Sequence, residues 1–289
     1  MQQSNTRAGI ALMIATTFVF AAQDGISRHL ASEYNVVMVV MIRYWFFAAF
    51  VITLSSLRQG GVRAAAKTSQ PLLQIFRGVL LVAEIMVMVT AFTLLGLTAS
   101  HAIFTAYPLL IAALSGPVLG ERVGWRRWVA IGVGFLGVLI ILRPGFQVFS
   151  PEALVPLLAA FMFALYGLLT RFAARKDTAA TSFFWTGVSG AAAITMIGPF
   201  FWEPMTGPDW AWMALLCLTG AGGHWLLIKT YEVAEAGVVQ PFAYFQLVFA
   251  AAIGMSLFGE TLDAFTAAGA ALIVGAGIYT AIRERRQNP

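Results

Sequence analysis

Charge is scarce in this chain. Asp, Glu, Lys and Arg make up 11% of its 289 residues, against 60% that are hydrophobic. A soluble domain carries about a quarter of its residues charged, so an ordinary water-facing surface is excluded. Cysteine is nearly absent too: Cys217 stands alone, and no intrachain disulfide can form. Three scattered histidines and that one cysteine do not make a zinc ligand set, so neither a metal nor any other cofactor is expected. The sequence has no phosphate-binding loop ending in Gly-Lys-Ser/Thr and no HExxH, so neither an ATP site nor a zinc-peptidase site is indicated. Long polar connections are also missing. The longest is near 57–71 and the next is the Pro-containing 203–209, too short for a fused soluble module.

What the chain has instead is apolar runs of membrane length. They cover about 8–28, 35–56, 72–95, 99–119, 125–143, 152–172, 179–201, 210–230, 238–258 and 263–282. Spanning hydrocarbon takes about 20 apolar residues in a helix and about 10 alternating ones in a barrel strand. These runs are continuous, so an all-α integral membrane protein of ten transmembrane helices is expected. The first run is too long for a cleaved signal peptide and reads as a retained span. The net charge of +5 does not indicate nucleic acid, because the basic residues are dispersed among alternate loops. Arg58, Arg63, Lys67 and Arg77, then Arg122, Arg126 and Arg127, then Arg171, Arg175 and Lys176, then Arg283, Arg285 and Arg286 fall on one side. Arg28 and Arg143 fall on the other. This bias places both termini in the cytoplasm. Trp125, Trp128, Trp202, Trp210 and Trp212 flank spans as interfacial anchors.

The chain is also written twice. Phe18-Val19-Phe20-Ala21 followed by Ser27-Arg28 returns as Phe161-Met162-Phe163-Ala164 followed by Thr170-Arg171. Leu119-Gly120-Glu121 returns as Phe258-Gly259-Glu260. Five spans per copy is an odd number, so the second copy enters the membrane from the opposite face. Two inverted five-helix repeats are expected, 1–143 and 144–289, meeting at Arg143-Pro144-Gly145. Inverted halves that close alternately on a central site are the architecture of a secondary transporter.

Gly120-Glu121 is followed by Gly132, Gly134 and Gly137, and Gly259-Glu260 by Gly269, Gly275 and Gly277. With the ten spans, this pattern resembles the drug/metabolite transporter superfamily, and within it the EamA-type exporters, over roughly 8–282. The resemblance implies efflux of metabolites or amino acids across a bacterial inner membrane. Exporters of aromatic and other neutral amino acids are nearest in character.

The repeat also pairs polar residues inside spans, where they are costly and tend to face the bundle interior. Gln23 matches Tyr166, Ser27 matches Thr170, His101 matches Gln240, and Thr105 matches Tyr244. Glu84 nearly matches His224 and lies about 18 Å along its span at 1.5 Å per residue, close to the midplane. A substrate pathway lined by Gln23, Glu84, His101, Thr105, Tyr166, His224, Gln240 and Tyr244 is expected, with Pro108 and Pro241 kinking the fourth and ninth spans. Protons are a candidate coupling ion through Glu84 or His224. Asp24 and Arg43 are expected to form a structural ion pair. Gly132-Val133-Gly134-Phe135-Leu136-Gly137 fits the dinucleotide fingerprint. It lies inside an apolar run without the strand and turn that the mechanism needs, and reads as a packing face. The favoured expectation is alternating-access export of small neutral or aromatic amino acids. The rivals are an exporter of cationic drugs or purine-like metabolites, for which Glu84 would be the counter-charge, and an intramembrane lipid-modifying enzyme, which needs catalytic groups clustered at one interface.

Overall fold

The computed structural model of the protein describes residues 6–57, 59–120, 124–142, 151–233 and 239–287, and every regular element within them is helical. The α-helices are α1 (Thr6–Glu33), α2 (Val36–Ser56), α3 (Gly61–Ala66), α4 (Pro71–Leu95), α5 (Leu97–Phe104), α6 (Tyr107–Leu119), α7 (Trp125–Leu142), α8 (Leu154–Ala173), α9 (Ala179–Thr195), α10 (Gly207–Val233), α11 (Phe245–Phe258) and α12 (Ala264–Gln287). Among the described residues, four helical stretches are long and apolar enough to cross a membrane: Arg7–Glu33, Val36–Ser56, Pro71–Leu95 and Pro151–Ala173. Their outward surfaces are apolar: Phe18, Phe76 and Leu158 are each more than half exposed, an arrangement that suits hydrocarbon and not water.

Local chemistry sets the helix ends. The Asn35 side chain accepts a hydrogen bond from the Val37 N–H at 2.9 Å and starts α2. Thr178 does the same for Thr181 at 3.1 Å and starts α9. Pro71 opens α4, where its missing N–H is no loss. Gly120 and Gly259 take φ of 74° and 64° and end α6 and α11. The glycine of each Gly-Glu pair is therefore a helix stop in the left-handed region.

The fourth expected span is broken. α5 ends at Phe104, Thr105 and Ala106 form a turn, and α6 restarts with Pro108 in its first turn. Pro108 has no N–H to offer the Phe104 carbonyl. The ninth expected span is interrupted in the same place: a 3₁₀ turn, Gln240–Tyr244, holds Pro241 at its start and gives way to α11. Near the linker, the residues 143–150 lie outside the described ones, as does Glu121.

Helix packing comes in matched pairs. α1 lies along α10 and α11, while α8 lies along α4 and α6; α2 meets α9, and α7 meets α12. The glycine motif in α7 is a packing face. A Cβ on Gly137 would collide with the Gly269 carbonyl of α12, and one on Gly134 with Leu109. Glycines here let two backbones approach closely.

Candidate functional site

Two ionisable side chains are buried on neighbouring helices, Arg43 on α2 and Glu84 on α4. Glu84 is 3% exposed, and the charges that act on it are Asp24 and Arg43. Arg43 lines a small pocket with Tyr44, Phe47, Leu81, Gly220 and His224. Its free space of about 10 Å³ is room for one water. Gly220 makes that space: a Cβ there would stand 3.2 Å from Gln23 Oε1 and 3.5 Å from Arg43 Nε. Gln23 is buried, and its Oε1 has no hydrogen-bond partner. Among the described residues, neither Arg43 nor Glu84 lies within ion-pair distance of an opposite charge. The expected Asp24–Arg43 pair does not form. Asp24 is instead engaged by His101 and Gln246.

His224 sits in an aromatic cage rather than against Glu84. Its ring stacks on Phe47 at 5.6 Å, meets Phe20 edge-on at 5.4 Å and lies 6.2 Å from Phe183. A Cβ on Gly223 would strike the Phe20 ring, so that glycine admits Phe20 to the cage. α2 and α9, which the sequence pairing did not count among the lining helices, contribute two of these rings.

His101 is 2% exposed. Its Nε2 stands 3.1 Å from Asp24 Oδ2 but has no hydrogen-bond partner. Gln246 Nε2 donates to the same Oδ2 at 3.1 Å. The imidazole is stacked on Phe92 at 5.4 Å. Thr105 donates its hydroxyl back to the Ala102 carbonyl at 2.7 Å, satisfying the end of α5. The Tyr244 hydroxyl is buried without a partner, in space that only Gly277 leaves open. Gln240 and Pro241 are placed by their backbone in the 3₁₀ turn; their side chains lie outside the described residues.

One charge was misread from sequence. Arg77, counted with the loop residues, is 1% exposed inside α4. Its Nε and Nη2 donate to Thr170 Oγ1 at 3.1 and 2.8 Å, its Nη1 to Gln74, and the guanidinium lies 5.1 Å from the Tyr166 ring centre. Gln74 passes the contact on, donating to Asp177 at 2.7 Å. Burial raises the Asp177 carboxyl, and hydrogen bonds from Thr68 and Gln74 outweigh it and hold the group below the usual carboxylate range. This network ties the start of α4 to the ends of α8 and α9. Only the depth of Arg77 beyond Pro71 signalled it in the sequence. Tyr166 is thereby engaged by Arg77 on one side and faces Thr186 at 3.4 Å on the other.

The two ends of the bundle differ. At the α3 end a cavity of about 470 Å³ is lined by Ser55, Gln59, Thr181, Phe183, Trp225 and Lys229 among others. Phe183 separates it from the His224 cage. At the opposite end Glu260 is bonded by Arg28 and accepts the Leu97 and Thr98 N–H groups at 2.7 and 2.8 Å. Arg28 also lies 4.0 Å over the Phe258 ring. Asp209 accepts from Tyr34 at 2.6 Å, binding the end of α1 to the start of α10. Among the described residues no group of three His, Cys, Asp or Glu side chains could hold a metal ion.

A model of the EamA-like transporter family matches residues 7–143 and again 151–282. The S-adenosylmethionine uptake transporter of Rickettsia prowazekii is 26% identical over 96% of this chain and 94% of its own. The riboflavin transporter of Vibrio cholerae is 28% identical over 92% of this chain and 90% of its own. The pseudopaline exporter of Pseudomonas aeruginosa is 26% identical over 94% and 95%. A crystal structure superposes with a TM-score of 0.63 over 99% of this chain and 100% of its own at 18% identity, which shows a shared fold.

Proposed function

We propose, from the premise that the chain belongs to the EamA-like transporter family and is a multi-pass membrane transporter of metabolites rather than an enzyme, that its substrate carries an α-amino-acid group on an aromatic or cationic body. The observation that carries this reading is the pair of buried ionisable side chains Arg43 and Glu84, neither with an ion-pair partner among the described residues, of which Arg43 lines the pocket with Phe47 and His224 of the aromatic cage. A buried charge left without a partner is costly. A ligand with both a carboxylate and an ammonium group answers both, while the rings take up a planar or positively charged remainder. Neutral and aromatic amino acids satisfy this description. So does S-adenosylmethionine, which adds a sulfonium and a purine and is the molecule named for the Rickettsia relatives.

In this reading ten spans form two inverted halves with both termini in the cytoplasm of a bacterial cell. The halves alternate in exposing the site, and flux follows the gradient, outward for amino acids in a producing cell. The α3-end cavity is then the cytoplasmic approach, with a volume in the range of small-molecule sites. The test is exchange in proteoliposomes holding the purified protein. S-adenosylmethionine and tryptophan should each exchange faster than in protein-free liposomes and should compete with one another, and Arg43→Met should slow both at least tenfold. Rapid movement of riboflavin with neither of the other two would overturn the reading.

A further inference from the structure

Asp24 and His101 form a second charged unit that no part of the substrate reading uses. They come from different elements, α1 and α5, and meet where both unwound segments lie close by. α5 ends one turn beyond His101, at the Thr105–Ala106 break, and Gln246, which holds Asp24, begins α11 just after the 3₁₀ turn. His101 is almost wholly buried, and its Nε2 faces a carboxylate at 3.1 Å without a hydrogen bond of its own. An imidazole nitrogen so placed has one evident ligand, a proton. In the tautomer with Nε2 bare, its lone pair opposes the carboxylate; a proton added there makes an imidazolium that the carboxylate attracts.

We propose that Asp24 and His101 are the proton-binding site through which this transporter is coupled to a pH gradient. The proton is taken up on His101 Nε2 from the face to which the site is open and is given up at the other face. Protonation draws α1 and α5 together and deprotonation releases them. Because α5 is cut from α6 at Thr105–Ala106, it can follow α1 without dragging the whole fourth span. The other ionisable groups on the elements packed against these two helices include Glu84 and Arg77 on α4, Arg43 and Tyr44 on α2, Asp209, His224 and Lys229 on α10, Tyr166 and Arg171 on α8, Tyr244 in the 3₁₀ turn and Tyr279 on α12, with Arg28 and His29 further along α1. α11 offers only the neutral Gln246. Glu84 feels Asp24 directly, so a substrate ammonium arriving at Glu84 is sensed by the pair.

The proposal rests on the transport activity and not on the substrate class above, and two measurements keep the two apart. In proteoliposomes loaded with a pH-sensitive dye, addition of S-adenosylmethionine as the probe should move protons with the parent protein. Asp24→Asn and His101→Gln should lose at least nine-tenths of that proton movement while still exchanging labelled probe at equal pH on both faces, and His29→Gln should keep it. Probe transport without proton movement in the parent, or proton movement retained in both variants, overturns the proposal. The second measurement needs no substrate. In histidine-labelled protein in nanodiscs, the nitrogen resonance missing from His101→Gln should move between its neutral and protonated positions across a pH series, and Asp24→Asn should displace that response. If S-adenosylmethionine does not move at all, the substrate class falls and this spectrum decides the proton site. A His101 resonance that ignores pH, or that ignores Asp24→Asn, overturns it.

Discussion

At the residue scale, the buried charges fall into two kinds. Some are fully answered by the protein. Arg77 has Thr170, Gln74 and the Tyr166 face, and Glu260 has Arg28 and two backbone N–H groups. Others are left open, and Arg43 and Glu84 are the clearest. The first kind predicts effects on stability. Arg77→Met strands Gln74 Oε1 and should lower thermal stability in detergent by about 1–3 kcal/mol. A retained melting temperature would show that this network holds nothing together. The second kind predicts effects on transport with little loss of stability. Glu84→Gln removes a buried carboxyl that has no ion-pair partner among the described residues, so the protein should stay folded by circular dichroism. Exchange of an amino acid bearing a free ammonium should fall at least tenfold, about 1.4 kcal/mol.

At the scale of the element, Glu260 behaves as the cap of α5. Gly96, at φ 83°, turns the chain after α4, and the Leu97 and Thr98 N–H groups at the start of α5 point at the Glu260 carboxylate. Burial raises that carboxyl, and hydrogen bonds from Thr98 and Leu97 with the charge of Arg28 outweigh it, leaving it below its ordinary value. A carboxyl depressed in the folded state adds stability above its unfolded value, about 4.3, and that stability disappears as pH falls through the lower folded value. The parent should therefore lose melting temperature on acidification in a step that Glu260→Gln lacks. Equal acid sensitivity in the two proteins would contradict the cap. The Gly-Glu repeat was plain in the sequence, but its purpose was not: the three groups that Glu260 holds lie far away in the chain, and only folding brings them to it. The helix breaks at Pro108 and Pro241 were legible because proline acts locally. The roles of Arg43 and Arg77 were not. Arg77 reads as a loop charge until α4 is seen to begin at Pro71, and Arg43 paired with Asp24 on depth alone, while the fold gives Asp24 to His101. The cage around His224 draws Phe20, Phe47 and Phe183 from three helices, and no internal pairing of the two copies points to it.

At the scale of the whole molecule, the α3 end holds the larger cavity while the opposite end is bound by Arg28–Glu260 and Tyr34–Asp209. With the inverted halves proposed above, the α3 end is cytoplasmic. Replacing Cys217 by Ser leaves no other cysteine, and a single cysteine introduced at Ala64 should then react with an impermeant maleimide only from the cytoplasm, one at Gly207 only from outside. Reaction of position 64 from outside alone would reverse the orientation. The central claim, though, is that the site reads both ends of an α-amino-acid group beside an aromatic cage. It is tested most directly by competition against labelled S-adenosylmethionine exchange in proteoliposomes, using the unlabelled molecule, its decarboxylated form, and methylthioadenosine, which lacks the amino-acid end. Loss of the carboxylate should weaken competition at least tenfold in the parent and much less in Arg43→Met, and methylthioadenosine should compete least. Methylthioadenosine competing as well as the whole molecule would contradict the account.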